Sequence, residues 1–171
     1  MTIIGMAGCS ALMLTGFGLR DSIDDIVYKQ FGEIDLYQMS IVLNDANAID
    51  NDAELKALLT SDSRISAYMP YHSETGRIQS ASGSESISLA VPENSDMLDE
   101  YIVLRERKSA RPLALTDDGI ILTEKLCEQL GINVGDTVTL ENADGKRAQL
   151  RVDGISENYI ASYAFLTANC Y

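Results

Sequence analysis

The first nineteen positions of the chain are apolar or small, and none of them carries a charge. All 13 basic and 26 acidic residues follow, beginning with Arg20 and Asp21. As an α-helix, a segment of this length covers roughly 28 Å, close to the hydrocarbon thickness of about 30 Å in a bilayer. The pattern predicts a transmembrane helix over residues 1–19, truncated at its start.

Small side chains recur every four residues along one face of this segment, at Ala7, Ala11 and Thr15. Such a ridge lets a second membrane helix approach closely, because lipid gives no hydrophobic drive for helix pairing. With Ile3 and Leu19 these residues form the predicted membrane-helix site. A buried core helix, or a lipoprotein signal ending at Cys9, is the alternative interpretation of the same stretch.

The hydrophobic pattern changes to an amphipathic helix beyond Leu19, and residues 20–32 are predicted to form a stalk. Its apolar stripe consists of Ile23, Ile26, Val27 and Phe31, opposite Asp21, Asp24, Asp25 and Lys29. Gly32 supplies the predicted end of the helix. No glycine or proline interrupts the stripe, so we expect a continuous rod that joins the membrane segment to the rest of the chain.

Residues 33–112 are predicted to form a first extracytoplasmic lobe of mixed helix and strand. Its predicted elements are a strand over Ile34–Leu43, a loop over Asn44–Asn51, a helix over Ala53–Leu59 capped by Asp50 or Asn51, a strand over Ile65–His72 interrupted at Pro70, a turn at Glu74–Gly76, and a strand with Ile87, Leu89 and Val91 inward. The basic run Arg105–Lys108 is interpreted as a solvated connector.

Residues 113–171 are predicted to form a second, strand-rich lobe. A buried strand at Gly119–Leu122 is followed by the N-cap Thr123, a helix over Glu124–Leu130 and Gly131 at its C-terminal end. A hairpin then joins Thr137–Leu140 to Arg147–Val152. The fold class is therefore α+β, with an N-terminal transmembrane and stalk helix before a mixed domain.

Charge and residue inventory narrow the chemistry. The net charge of −13 would repel nucleic acid and anionic lipid headgroups. Three cysteines without paired spacing and a single histidine, His72, indicate no disulfide framework, metal site, cofactor site or catalytic residue. Tyr159, Tyr163 and Phe165 are equally compatible with a partner-binding patch, an interfacial belt and a strand core.

Several segments resemble permeases of the FtsX-like, MacB-like family of ABC transporters. Residues 3–23 are similar to the first membrane helix and stalk of these permeases. The segments Gly119–Leu126, Leu130–Leu140 and Val152–Tyr159 are similar to pieces of their extracytoplasmic domain. Residues 40–110 show little similarity, so the resemblance covers mainly the two ends of the chain.

The resemblance implies a permease subunit fragment whose extracytoplasmic domain couples ATP-driven membrane motion to export or release of a substrate. It implies a partner ABC ATPase that holds the ATP, further permease helices, a dimer in the full transporter, and residues 20–171 outside the membrane. Segments before residue 1 and after residue 171 are expected, and no residue selects a substrate. The alternative is a membrane-anchored binding or sensing domain, lipoprotein-like and without a transport role.

Overall fold

The architecture is an N-terminal helix followed by a six-stranded barrel. The computed structural model describes residues 2–43 and 52–171. The helices are α1 (Thr2–Lys29), a wider π-helical turn (Gln30–Ile34), α2 (Ala53–Ser61), a 3-10 helix (Ser95–Glu100) and α3 (Glu124–Leu130). The strands are β1 (Tyr71–Ser80), β2 (Gly83–Pro92), β3 (Gly119–Thr123), β4 (Thr137–Glu141), β5 (Arg147–Ser156) and β6 (Tyr163–Phe165).

The strands close into a barrel in the order β1-β2-β6-β3-β5-β4. Pairs β2/β6 and β3/β5 are parallel, and the other pairs are antiparallel, including β1/β4, which closes the ring. Closure leaves no free sheet edge along the paired registers. Strands from both predicted lobes contribute to this one barrel, and the predicted boundaries of residues 1–19, 20–32, 33–112 and 113–171 stay predictions.

Alternation along β3 separates two apolar layers. Ile120 and Leu122 point into the barrel, where they pack with Leu89, Val152 and the helix residue Leu126. The side chains between them face the opposite side of the sheet and pack under the connecting segments that follow β2. This outer cluster contains Ala90, Leu98, Leu104, Ile121 and Phe165. Leu98, Leu104, Leu113 and Leu115 anchor residues 98–115 in this outer layer. Part of the site described below belongs to that segment.

The helix end and the hairpin predicted in the C-terminal half are confirmed. Thr123 occupies the N-cap position of α3, but its side chain makes no capping hydrogen bond, and its hydroxyl accepts from the Tyr163 backbone nitrogen over 3.2 Å instead. Gly131 ends α3 in the left-handed conformation, with φ of 62°, which glycine adopts without steric cost. The hairpin between β4 and β5 turns at Asn142–Gly145, where the Asn142 side chain accepts hydrogen bonds from the backbone of Asp144 and Lys146. The predicted inward face of Ile87, Leu89 and Val91 is also confirmed, since all three are buried.

Four predictions in the first lobe are wrong. The strand predicted over Ile65–His72 begins only at Tyr71, because residues 65–70 have no sheet partner. Residues 36–43 form no strand, because they have no sheet neighbour beyond the isolated bridge of Asp35 to Ile102. The predicted turn at Glu74–Gly76 lies inside β1. The helix α2 is capped by Asp52, whose Oδ1 accepts from the backbone of Glu54 and Leu55. The predicted loop at residues 44–51 lies outside the described residues.

The N-terminal helix is present, and it runs well beyond the apolar segment. None of the helices in the described residues combines the length and the apolar character that a membrane crossing requires. The helix is therefore confirmed, although it continues through Gly32, its predicted end, to Ile34 in π geometry. The predicted membrane span over residues 1–19 has no support in the described residues.

The barrel interior makes a testable contribution to stability. Leu122 is fully buried in the inner cluster, so Leu122→Ala should lower the free energy of unfolding by about 2–5 kcal/mol through lost burial and a residual cavity. Leu58→Ala, the same change on the exposed side of α2, should cost less than about 1 kcal/mol. Urea denaturation followed by circular dichroism measures both, and equal losses would contradict this assignment of the core.

Candidate functional site

The candidate site is the junction at which α1 joins the barrel. The helix is exposed as far as Tyr28, whereas Gln30 and Ile34 are buried. In between, the helix widens to π geometry, and the Asp35 backbone nitrogen donates to the Gln30 carbonyl over 2.7 Å. Single π turns within helices often mark functional positions. The chain therefore passes from the exposed helix α1 to the barrel through this one π turn of five residues.

Backbone hydrogen bonds attach this turn to the segment over the outer core. The Val103 nitrogen donates to the Ile34 carbonyl over 2.9 Å, and the Leu36 nitrogen donates to the Tyr101 carbonyl over 2.8 Å. Because Leu98 and Leu104 are anchored in the outer cluster, the segment between them is a fixed support. Two main-chain hydrogen bonds therefore hold the end of the helix against this support.

The side chain of Gln30 ties the turn to the loop after β5. It is 1% exposed, and its Oε1 accepts from the Tyr159 backbone nitrogen over 2.9 Å. Its Nε2 donates to Asn158 Oδ1 over 2.9 Å and to Asp35 Oδ2 over 2.8 Å. A buried amide is costly unless it is hydrogen-bonded, and here both ends are. Gln30 therefore connects three parts of the junction at once.

Arg105 joins two carboxylates that come from opposite ends of the chain. Its Nη2 donates to Glu33 Oε2 over 2.5 Å, and its Nε donates to Glu157 Oε2 over 2.7 Å. The Glu157 backbone nitrogen also donates to the Arg105 carbonyl over 2.8 Å. A guanidinium holds two acceptors in fixed directions, which an ammonium does not. The charge cluster thus links the π turn, the connector and the end of β5.

The protonation states at the junction follow from these contacts. Burial by itself would raise the pKa of Glu157, but hydrogen bonds from Tyr159 and Arg105, with the charges of Arg105 and Arg107, lower it overall. The hydrogen bonds to Glu33 and Glu157 raise the pKa of Arg105. Burial, and then the hydrogen bond to Glu157, raise the pKa of Tyr159. Glu157 is therefore ionised and Arg105 is charged at neutral pH.

Tyr159 completes the junction between two cations. The ring lies 5.9 Å from Lys29 Nζ at the end of α1 and 5.3 Å from Arg107 Cζ on the connector. Cations over an aromatic face gain electrostatic attraction. Arg107 also pairs with Glu124 of α3 over 3.1 Å. Tyr159 therefore lies in the junction and not in a strand core, and its membership of a partner-binding patch or an interfacial belt stays a prediction.

The sequence-predicted site residues lie elsewhere on α1. Ala7, Ala11, Thr15 and Leu19 are exposed along the helix, and Ile3 lies in its first turn. The stalk stripe is also exposed in place of packing against the barrel, at Ile23, Ile26, Val27 and Phe31. The roles of both sets stay predictions. Of the remaining aromatic residues, Phe165 belongs to the outer core and Tyr163 stacks on it at 5.8 Å.

The residues that form the junction were not identified as site residues from the sequence. Gln30 falls among the polar positions of the stalk, and Arg105 falls in the basic run interpreted as solvated. The other basic residues of that cluster are exposed, as predicted: Arg107, Lys108 and Arg111. The Arg105 side chain, in contrast, is only 21% exposed. The one available signal was the resemblance over Val152–Tyr159, which includes Glu157 and Tyr159.

Comparison with known protein families gives one match that spans nearly the whole chain. The model of the MacB-like periplasmic core domain matches residues 2–169. No curated protein matches the chain. The match therefore includes the middle region, residues 40–110, in which the sequence alone showed little similarity.

Removal of the guanidinium should destabilise the junction. Arg105→Met keeps the aliphatic bulk and leaves the buried Glu157 carboxylate without its salt-bridge partner, with the Tyr159 hydroxyl as its remaining side-chain donor. The free energy of unfolding should therefore fall by about 3 kcal/mol. Arg147→Met removes an exposed arginine that pairs with Glu141, and it should cost about 0–1 kcal/mol. Chemical denaturation of both variants measures the difference, and a loss no larger than that of Arg147→Met would refute the structural role of Arg105.

Acid should weaken the same cluster. The pKa of Glu157 is lower in the folded chain than its ordinary value of 4.5, so its ionisation contributes stability above that value that is lost as the pH falls through the folded pKa. Glu157→Gln should be less stable than the wild type at pH 7, and the two stability curves should converge in acid. Denaturation midpoints between pH 7 and pH 3 test this, and parallel curves would show that Glu157 does not carry the effect.

Proposed function

Because the chain belongs to the family of MacB-like periplasmic core domains, we propose that it is the extracytoplasmic domain of an ABC-transporter permease subunit. In this role the domain transmits ATP-driven motion from the membrane to a substrate or partner outside. The observation that supports the mechanical role best is the continuous helix α1, which ends in a buried, charge-locked junction. The role is one of coupling, and no residue is assigned to catalysis.

The dimensions of α1 suit a lever. At about 1.5 Å per residue, 28 helical residues extend about 42 Å. The helix is exposed along the described part of its surface, so the junction is where force reaches the barrel. A closed barrel deforms little, because every paired strand is held from both sides. Displacement of α1 would therefore move the barrel as one body.

The partners follow from this proposal. The membrane lies toward the Thr2 end of α1, and the barrel lies on the extracytoplasmic side. An ABC ATPase binds the ATP, and the exposed small-residue ridge of Ala7, Ala11 and Thr15 meets other permease helices, in a dimer of the full transporter. The exposed stripe of Ile23, Ile26, Val27 and Phe31 is available to the same neighbouring helices.

A helix break within the stalk tests the proposal. Ile26→Pro removes a backbone hydrogen bond and clashes with the preceding turn, at a local cost of about 3 kcal/mol or more. In the full-length permease with its ATPase, this variant should hydrolyse ATP while losing substrate export or release. Ile26→Leu keeps the helix and should retain coupling. Full ATP-coupled activity of Ile26→Pro would overturn the lever.

A further inference from the structure

A small cleft opens beside the junction, between the turn after α1 and the face of β2 and β6. Asp35, Tyr37, Tyr71 and Tyr163 line it, together with apolar side chains of the outer core such as Ala90 and Phe165. Its volume of about 30 Å³ accommodates one or two groups of the size of a water molecule. The cleft is thus suited to the end of a side chain or to a small headgroup.

Asp35 brings a charge into this cleft without a cation to balance it. Its Oδ2 accepts a hydrogen bond from Gln30, which is neutral. Within residues 2–43 and 52–171, Asp35 forms no ion pair, and the lining contains no lysine, arginine or histidine. Glu157, the other acid in the lining, is already bound by Arg105. The carboxylate of Asp35 therefore lies half-buried with its charge uncompensated.

Three tyrosines line the same cleft. Tyr37 and Tyr71 are 39% and 45% exposed, and Tyr163 is partly buried against Phe165. Aromatic rings attract cations through their faces, and phenol oxygens accept hydrogen bonds from ammonium groups. A carboxylate in a cleft that is lined by tyrosines is a suitable environment for a cationic headgroup. An anion would be repelled by Asp35, and a neutral apolar group would desolvate it without a partner.

We propose that this cleft binds a single primary ammonium group, supplied by a lysine side chain or by a free alkylamine, with Asp35 as its counter-ion. The volume suits an ammonium better than a planar guanidinium, which is several atoms across. The assignment goes beyond the coupling role and does not depend on transport. Burial raises the pKa of Asp35, against the effect of the Gln30 hydrogen bond, and a bound cation would lower it again.

Titration of the isotope-labelled chain with n-butylammonium chloride, followed by amide chemical shifts, tests the proposal. Saturable shifts are expected at Asp35, Tyr37, Tyr71 and Tyr163, and n-butanol at the same concentrations should produce none of them. Asp35→Asn keeps an oxygen that accepts from Gln30, so it should fold and weaken binding about tenfold or more. Asp99→Asn, an exposed acid away from the cleft, should bind as the wild type does.

Two further probes identify the source of the ammonium group. If a blocked Gly-Lys-Gly peptide binds as tightly as n-butylammonium or more tightly, the ligand is a lysine side chain. If only the free amine binds, the ligand is a small alkylamine. The proposal is overturned if Asp35→Asn binds n-butylammonium like the wild type. It is equally overturned if the shifts are spread over exposed carboxylates elsewhere or fail to saturate.

Discussion

The part-buried contact of Arg105 with Glu33 and Glu157 is the charged interaction that fixes the direction of α1, together with the hydrogen bonds of Gln30 and the backbone. Apart from its last turns, the helix is exposed, so apolar burial does not set its direction relative to the barrel. A guanidinium with two carboxylates requires close and directional geometry, since an unpaired buried charge is strongly unfavourable. The cluster therefore helps to define the angle between α1 and the barrel.

The barrel gives α1 a fixed support, because Glu157 and Arg105 are held by elements that cannot shift independently of each other. Glu157 directly follows β5, and its backbone is bonded to that of Arg105. Arg105 in turn follows Leu104, which is fixed in the outer apolar layer. Alternation along β3 separates the inner and outer layers, so one strand supports both the barrel core and the cover that carries the junction.

The sequence predicts best the elements whose signals are local. The helix α3, with Gly131 at its end, and the hairpin at Asn142–Gly145 depend on neighbouring residues, and both were found. Gly76 was wrongly predicted to lie in a turn. Glycine is needed there because of a tertiary contact, since a Cβ would lie 2.9 Å from the Glu141 carbonyl oxygen and from the Leu89 side chain. The alternation of residues 34–43 resembles that of a strand, but alternation supplies no pairing partner, and the structure provides only the isolated bridge of Asp35 to Ile102 there.

The junction could not be predicted from the sequence for a related reason. Its pairs are 52, 72 and 129 residues apart, and a charge run gives no sign that one member is buried. Proximity in the fold also joins the junction to the cleft, because one nitrogen of Gln30 donates to both Asn158 and Asp35. A carboxylate has enough lone pairs to accept from Gln30 and from a ligand together. An ammonium group in the cleft would keep Asp35 ionised, and an ionised acceptor strengthens the bond from Gln30. Binding of an ammonium group in the cleft would thus stabilise the position of α1 in which Gln30 is bonded to Asp35 and Asn158.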